Sequence, residues 1–252
     1  MGKGARRIEL SPLYVLHHRP WRDTSRMLDV FTREHGRLTL FARGVRGSKL
    51  GLASLLQPFR RLLASWSGSG DAGQLTQVEA AEGHAPGSME LPATALMSAW
   101  YLNELLLKLT ARHDPQPPLF DLYDATLDRL RAGEAIAPAL RAFERQLLEL
   151  LGYGVEFRQD ARGGTALESE AYYHFHPELG FVAVSGGAGE NAYRGSQLLA
   201  IAADDYGSPE ALETGRRLFR TALDRALEGR DLRTRAVARS VVRRPVKKES
   251  GS

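Results

Sequence analysis

The chain has 252 residues, 43% hydrophobic and 25% charged, with 34 Lys and Arg against 30 Asp and Glu and no cysteine. The missing cysteines exclude a disulfide scaffold, a thiolate zinc finger, an iron–sulfur cluster and a cysteine nucleophile. No apolar run approaches the ~18 residues of a membrane span, and Met1 to Leu10 lack a signal-peptide core, so a soluble cytoplasmic protein is expected.

The net charge of +4 conceals a strong asymmetry. Residues 1–62 carry 13 basic and 4 acidic side chains, residues 63–215 carry 9 and 22, and residues 216–248 carry 12 and 3. Two basic ends around an acidic middle point to a polyanion, nucleic acid above all, met by the ends. Two solvated basic faces with no partner would give the same count.

The first 80 residues read as strands. Tyr14-Val15-Leu16 precedes a turn at Arg19-Pro20, and Met27 to Thr32 is dense in apolar and β-branched residues. Gly36, within Glu34-His35-Gly36-Arg37, supplies the positive φ of a hairpin turn into Leu38–Ala42. Phe59 to Trp66 and Gln74 to Ala80 complete the set. Five short, evenly spaced strands fit an oligonucleotide-binding (OB) barrel.

Between the third and fourth strands lies Arg43-Gly44-Val45-Arg46-Gly47-Ser48-Lys49. It has neither the Gly-Lys-Ser/Thr order of a Walker loop nor a dinucleotide fingerprint. Its glycines let backbone approach a phosphate chain while Arg43, Arg46 and Lys49 neutralise it. Arg33, Arg37, Arg60 and Arg61 lie nearby in sequence, and Trp21, Phe31 and Phe41 are candidates for base stacking. For Phe31 and Phe41 a place in the core is the stronger expectation, and Trp21, beside a proline turn, is balanced between the two.

The period then changes to that of helices. Leu96, Trp100, Leu102, Leu105, Leu106 and Leu109 mark a helix over 93–109, and Pro115, Pro117 and Pro118 break the chain before a second over 119–131. A third runs over 138–151 and stops at Gly152, and another covers 209–227. Residues 153–195 lose the period, and the tail from Arg230 is rich in Arg and Lys. The expected fold class is α+β, with an OB barrel at 1–81, a helical domain at 82–252, an irregular insertion near 155–195 and a basic carboxyl tail.

Catalytic signatures are lacking. There is no Gly-x-Ser-x-Gly elbow and no acidic pair with the spacing of a two-metal nuclease, so an enzyme is disfavoured. His174 and His176 sit two apart, which on a strand would place both on one face as metal ligands could be, and Glu170 and Glu178 are close, yet no third ligand is evident. A metal-dependent nuclease using them is the weakest reading. Arg141 and Arg145, four apart, are neighbours on one helix face beside an apolar stripe. That arrangement suits either an acidic, aromatic peptide or a surface paired to Glu144 and Glu149.

Several segments, in order along most of the chain, resemble the RecO family of bacterial recombination mediators in the RecF pathway. They are Tyr14-Val15-Leu16, Arg19-Pro20-Trp21, Thr24 to Thr32, Gly36-Arg37, Ala42 to Arg46 and Leu56-Gln57-Pro58-Phe59. Downstream come Tyr101 to Leu106, Leu140 to Glu144 and Leu151 to Val155. The resemblance implies an OB-fold, a helical domain and a zinc-finger-like insertion that holds zinc through four cysteines in some members. With no cysteine here, no zinc and no other cofactor is expected. It further implies binding of single- and double-stranded DNA and annealing of complementary strands. Partners would be the acidic, Phe-terminated tail of single-stranded-DNA-binding protein, RecR and, indirectly, RecA, with no membrane and a nucleoid-associated location. Arg141 falls on the segment resembling the family's pocket for that tail, where Ala142 stands in place of a second Arg of some relatives, and Leu232-Arg233-Thr234-Arg235 resembles a Leu-Lys-Ser-Arg stretch. The rival expectation is an adaptor whose basic ends meet acidic protein tails and which touches DNA only indirectly.

Overall fold

A computed structural model describes residues 6–45, 51–68, 72–84, 90–184, 189 and 191–242. Its elements are β1 (Arg6–Trp21), β2 (Ser25–Thr32), β3 (Gly36–Ala42), α1 (Leu52–Leu55), β4 (Arg61–Gly68), β5 (Ala72–Ala80), α2 (Ala93–Leu109) and α3 (Pro117–Arg131). They continue with α4 (Ile136–Leu150), β6 (Tyr172–His176), β7 (Gly180–Ala183), β8 (Tyr193–Arg194), α5 (Gly195–Ala202), α6 (Pro209–Ala226) and α7 (Arg233–Val242). Two compact units emerge, one of residues 1–127 with 230–252 and one of residues 128–229.

In the first unit the strands close a barrel in the order β1-β2-β3-β5-β4, as the spacing of five short strands predicts. Sixteen residues of β1 serve two partners, β2 and β4, because bulges between Ile8 and Ser11 and between Val15 and His17 bend it. Closure is made by a short parallel pairing of β3 with β5. There Gly73 admits no side chain, since a Cβ would stand 2.8 Å from the Trp66 ring and 2.9 Å from Leu40. Leu13, Val15, Leu28, Val30, Leu38, Leu40, Ala42, Leu62, Ala64 and Trp66 fill the interior, with Val45 and Leu56 packed in the same cluster.

The fourth strand begins at Arg61 rather than Phe59, because Phe59 takes a positive φ of 67° and turns its ring against Trp100 at 4.9 Å. The turn at Gly36 forms as expected, with φ 65°, and is also tightly packed: a Cβ there would lie 2.2 Å from the Asp114 carbonyl oxygen.

Strand alternation sends a second set of side chains outward from the barrel. Tyr14, Leu16 and Phe31 point that way and are nevertheless fully buried. Tyr14 meets Phe120 at 5.7 Å and Tyr123 edge-on at 5.0 Å, and Phe31 meets Phe120 at 5.6 Å. Covering each such ring is worth about 2 kcal/mol, so α2 and α3 belong to the barrel energetically. Polar atoms in the seam are matched: Asn103 Nδ2 donates to the Leu16 carbonyl at 2.8 Å, the Tyr123 hydroxyl donates to Asn103 Oδ1, and the Tyr14 hydroxyl donates to Asp124. Arg61 completes it with a 2.5 Å bond to the other Asp124 oxygen.

The first described strand and the last described helix share this unit. Helix α7 packs on α2, where the half-buried Glu104 carboxylate accepts the backbone N–H groups of Arg233 (2.8 Å) and Thr234 (2.9 Å) and the Thr234 hydroxyl (2.7 Å). Part of the basic tail expected from composition is a helix, over Arg233–Val242.

The second unit pairs α4 with α6 and α5 with α6. Helix α6 starts where the Ser208 side chain accepts the Ala211 N–H, with Pro209 in the first turn. The insertion, irregular by sequence, holds a three-stranded antiparallel sheet in the order β7-β6-β8. Phe181 centres it, meeting Phe157 at 5.5 Å, Phe175 at 5.3 Å and Tyr193 at 6.1 Å. Asp160, only 8% exposed, ties its ends together: Oδ1 accepts the N–H of Arg162 and Gly163, and Oδ2 accepts that of Ala183.

Those bonds, Gly163 first and then Ala183, hold the Asp160 carboxyl below its usual range. A depressed carboxyl stabilises the folded state above its unfolded value, near pH ~3.9, and that contribution fades as pH falls through the lower folded value. Asp160→Asn should therefore lower the melting temperature at pH 7, with the gap to wild type closing below about pH 4. Melting curves from pH 7 down to ~2.5 check this; a gap of constant size throughout would contradict it.

Candidate nucleic-acid interface

The helices cover only one end of the outer surface of β1, β2 and β3. Toward the other end, Arg19 pairs across to Met27, Trp21 to Ser25, and Met27 to Phe41, while Phe41 neighbours Gln74 on β5. Arg19, Trp21, Met27 and Phe41 thus share one outward face by strand alternation. The Trp21 and Phe41 rings lie 5.3 Å apart at 45°, with Trp21 39% exposed. The Arg19 guanidinium rests on the Met27 sulfur at 3.0 and 3.1 Å. Gln74 Nε2 donates to the Phe41 carbonyl at 2.7 Å, fixing the strand beneath the ring. Arg43, two residues past Phe41, is exposed, as are Arg19 and Arg22 in the adjoining turn. An aromatic pair rimmed by unburied cations is a surface for stacking a base while neutralising its phosphates.

The sequence-based candidates divide by position. Trp21 and Arg43 stand on this platform. Arg33 is committed elsewhere, forming a bidentate pair with Asp121 at 2.9 Å and a 2.7 Å bond to Glu34; the Asp121 and Glu34 bonds push its pKa up. Arg37 donates to the Thr110 hydroxyl and carbonyl at 3.2 and 2.9 Å, and burial followed by the Arg112 charge lowers its pKa. Arg61 is bound to Asp124 over the Phe120 ring, at 6.0 Å from its centroid. These three side chains attach strands to the helical layer. Arg60 is partly buried, and Arg46 and Lys49 lie outside the described residues.

Phe31 is core, as expected, though on the helix-covered outside of the barrel rather than within it. Phe41 is only half-buried and takes part in the platform. The sequence reading left out Arg19, Arg22 and Met27. Their signal was the two-residue alternation Arg19/Trp21, Ser25/Met27 and Phe41/Arg43, which sorts side chains by face once the strands are paired.

In the second unit, Arg141 and Arg145 of α4 are held by carboxylates. Arg145 grips Asp204 through two bonds of 2.7 and 2.6 Å and reaches Glu149 at 3.0 Å, and the Asp204 bond raises its pKa. Arg141 donates to Glu144 at 2.8 Å, both side chains being almost wholly buried, and its Nε has no hydrogen-bond partner. Burial and the neighbouring Asp204 charge raise the Tyr206 hydroxyl pKa. The insertion does not fit zinc: it has no thiolate, and no three potential ligands gather around His174 and His176 among the described residues. No helix among the described residues is long and apolar enough to cross a membrane.

Comparison with known proteins agrees with this architecture. Residues 10–84 match the family description Recombination protein O N terminal, and residues 93–236 match Recombination protein O C terminal. A protein of Methylococcus capsulatus described as DNA repair protein RecO is 40% identical over 234 residues, covering 93% of this chain and 94% of that one. Proteins with the same description from Alkalilimnicola ehrlichii, 43% identical over 242 residues, and Cellvibrio japonicus, 39% identical over 230, cover 94% and 96% of their own lengths. With both halves matched in order and a five-stranded barrel leading into helices, the chain belongs to the RecO family.

Proposed function

We propose that this protein is a non-enzymatic DNA-repair mediator that binds single- and double-stranded DNA and anneals complementary strands. In this reading it also acts with RecR to help load RecA onto DNA coated by single-stranded-DNA-binding protein, in the cytoplasm at the nucleoid. The observation that carries the DNA-binding step is the Trp21–Phe41 pair rimmed by Arg19, Arg22 and Arg43. A bound strand would stack a base on the rings and exchange counterions at the arginines, without any covalent step. Arg46 and Lys49, next along the chain from Arg43, would extend the phosphate track. Neutralising two strands at once reduces their mutual repulsion, which speeds pairing.

Arg141 and Arg145 support the second activity, docking of the acidic tail. Because Arg145 is saturated by Asp204 and Glu149, a tail carboxylate must compete with those groups, whereas Arg141 has one such bond, to Glu144, and a buried Nε without a hydrogen-bond partner, so it has less to give up. Arg141 is therefore the stronger anchor. The adaptor reading draws support from the pairing of Arg33 and Arg61 to carboxylates, which leaves fewer barrel cations for phosphate.

Single-strand affinity should fall steeply from ~50 to ~200 mM salt, and Trp21→Ala or Phe41→Ala should each weaken binding about 10-fold, as expected for lost base stacking. A flat salt response with unchanged affinity in both variants would favour the adaptor. In a separate measurement, Arg141→Ala should weaken capture of an acidic, Phe-terminated peptide while naked-strand annealing is retained. Unchanged peptide capture would remove Arg141 from the docking site.

A further inference from the structure

Annealing brings two strands together, and the Trp21–Phe41 platform is a single aromatic pair. We infer that α7 and the residues leading into it form a second nucleic-acid track, which receives the partner strand; this rests on the DNA-binding reading above. Residues 230–252 carry 8 Lys and Arg against 2 Asp and Glu, and the described part of this stretch, 230–242, belongs to the same compact unit as the barrel. Arg230 and Arg233 are exposed at the start of the track, and Arg235 follows on the helix.

The manner in which this helix is held argues for the role. A helix N-terminus carries partial positive charge, so Arg233 and Arg235 in the first turn of α7 oppose its dipole, and no acidic residue of its own lies there. Left alone, such a start is unfavourable. The chain supplies the missing acid from α2: Glu104 takes two of the N–H groups at the helix start and the Thr234 hydroxyl, and those bonds outweigh burial to keep its pKa low. Arg230 adds a bond to the Lys108 carbonyl at 2.5 Å at the other end of the same helix-to-helix contact. The result anchors a cationic helix through its backbone, leaving the Arg233 side chain outward. Positive charge that served only packing would gain from neutral residues in that first turn. The layering also separates the two tracks, because α7 packs on α2 and α2 packs on β1, whereas the platform is at the uncovered end of the strands.

The experiment uses the full chain, preloaded with a saturating homopolymer oligonucleotide, and measures capture of a labelled, non-complementary second oligonucleotide. Arg233→Ala with Arg235→Ala should weaken second-strand capture about 10-fold, as loss of two phosphate contacts predicts, while first-strand affinity stays within about 2-fold of wild type. Glu104→Gln, which retains every α7 cation but weakens the clamp, should shift second-strand capture in the same direction. Unchanged capture in both variants overturns the inference, as does an equal loss for first and second strands, which would merge α7 with the platform. Capture of an acidic peptide in place of the second strand would overturn it too. Wild-type protein that binds no strand defeats the DNA-binding reading itself, whereas one that binds a first strand and never a second defeats only the inference about α7.

Discussion

The seam between the outer barrel face and α2–α3 is the constraint on which the first unit depends. Tyr14, Leu16 and Phe31 project from the barrel and would expose a wide apolar band if the helices were absent. Asn103, Tyr123 and Asp124 make the cover specific, because each satisfies a polar group that burial would otherwise orphan. Once those strand ends are sealed, only the opposite ends of the same face remain for a ligand. The location of the candidate platform thus follows from where the helices sit.

The same seam explains why counting arginines overstates the binding surface. Arg33 and Arg61 lie in the basic first segment, yet each is paired to an Asp of α3. Acidic residues of the middle segment therefore neutralise part of the amino-terminal charge within one compact unit. Exposed arginines gather around Trp21, where Arg19, Arg22 and Arg43 lie, and that surface has cations to offer a polyanion.

Much of this was legible in the residues. Periodicity separated strands from helices near residue 81, and the helix over 93–109 ends where the apolar repeat does. The Gly36 turn was visible as composition, although its close approach to Asp114 was not, since that contact spans the strand and helix regions. The sheet of β6, β7 and β8 escaped because its strands have two to five residues and depend on aromatic packing around Phe181. Helix α7 escaped although its side chains follow a helical period, and its clamp to Glu104, 129 residues earlier, is a long-range contact that residue order does not display. For the site, residue type selected Trp21 and Arg43, while Arg33, Arg37 and Arg61 were indistinguishable from them until their long-range partners were known.

The central claim is that one strand binds on the uncovered ends of β1, β2 and β3 and not across the helix-sealed portion. Amide hydrogen exchange with and without a single short oligonucleotide tests this most directly. Slowed exchange confined to residues 19–27, 39–43 and 74, with no change over 110–124, is the predicted result. Protection centred on 110–124, with the platform unaffected, would contradict it.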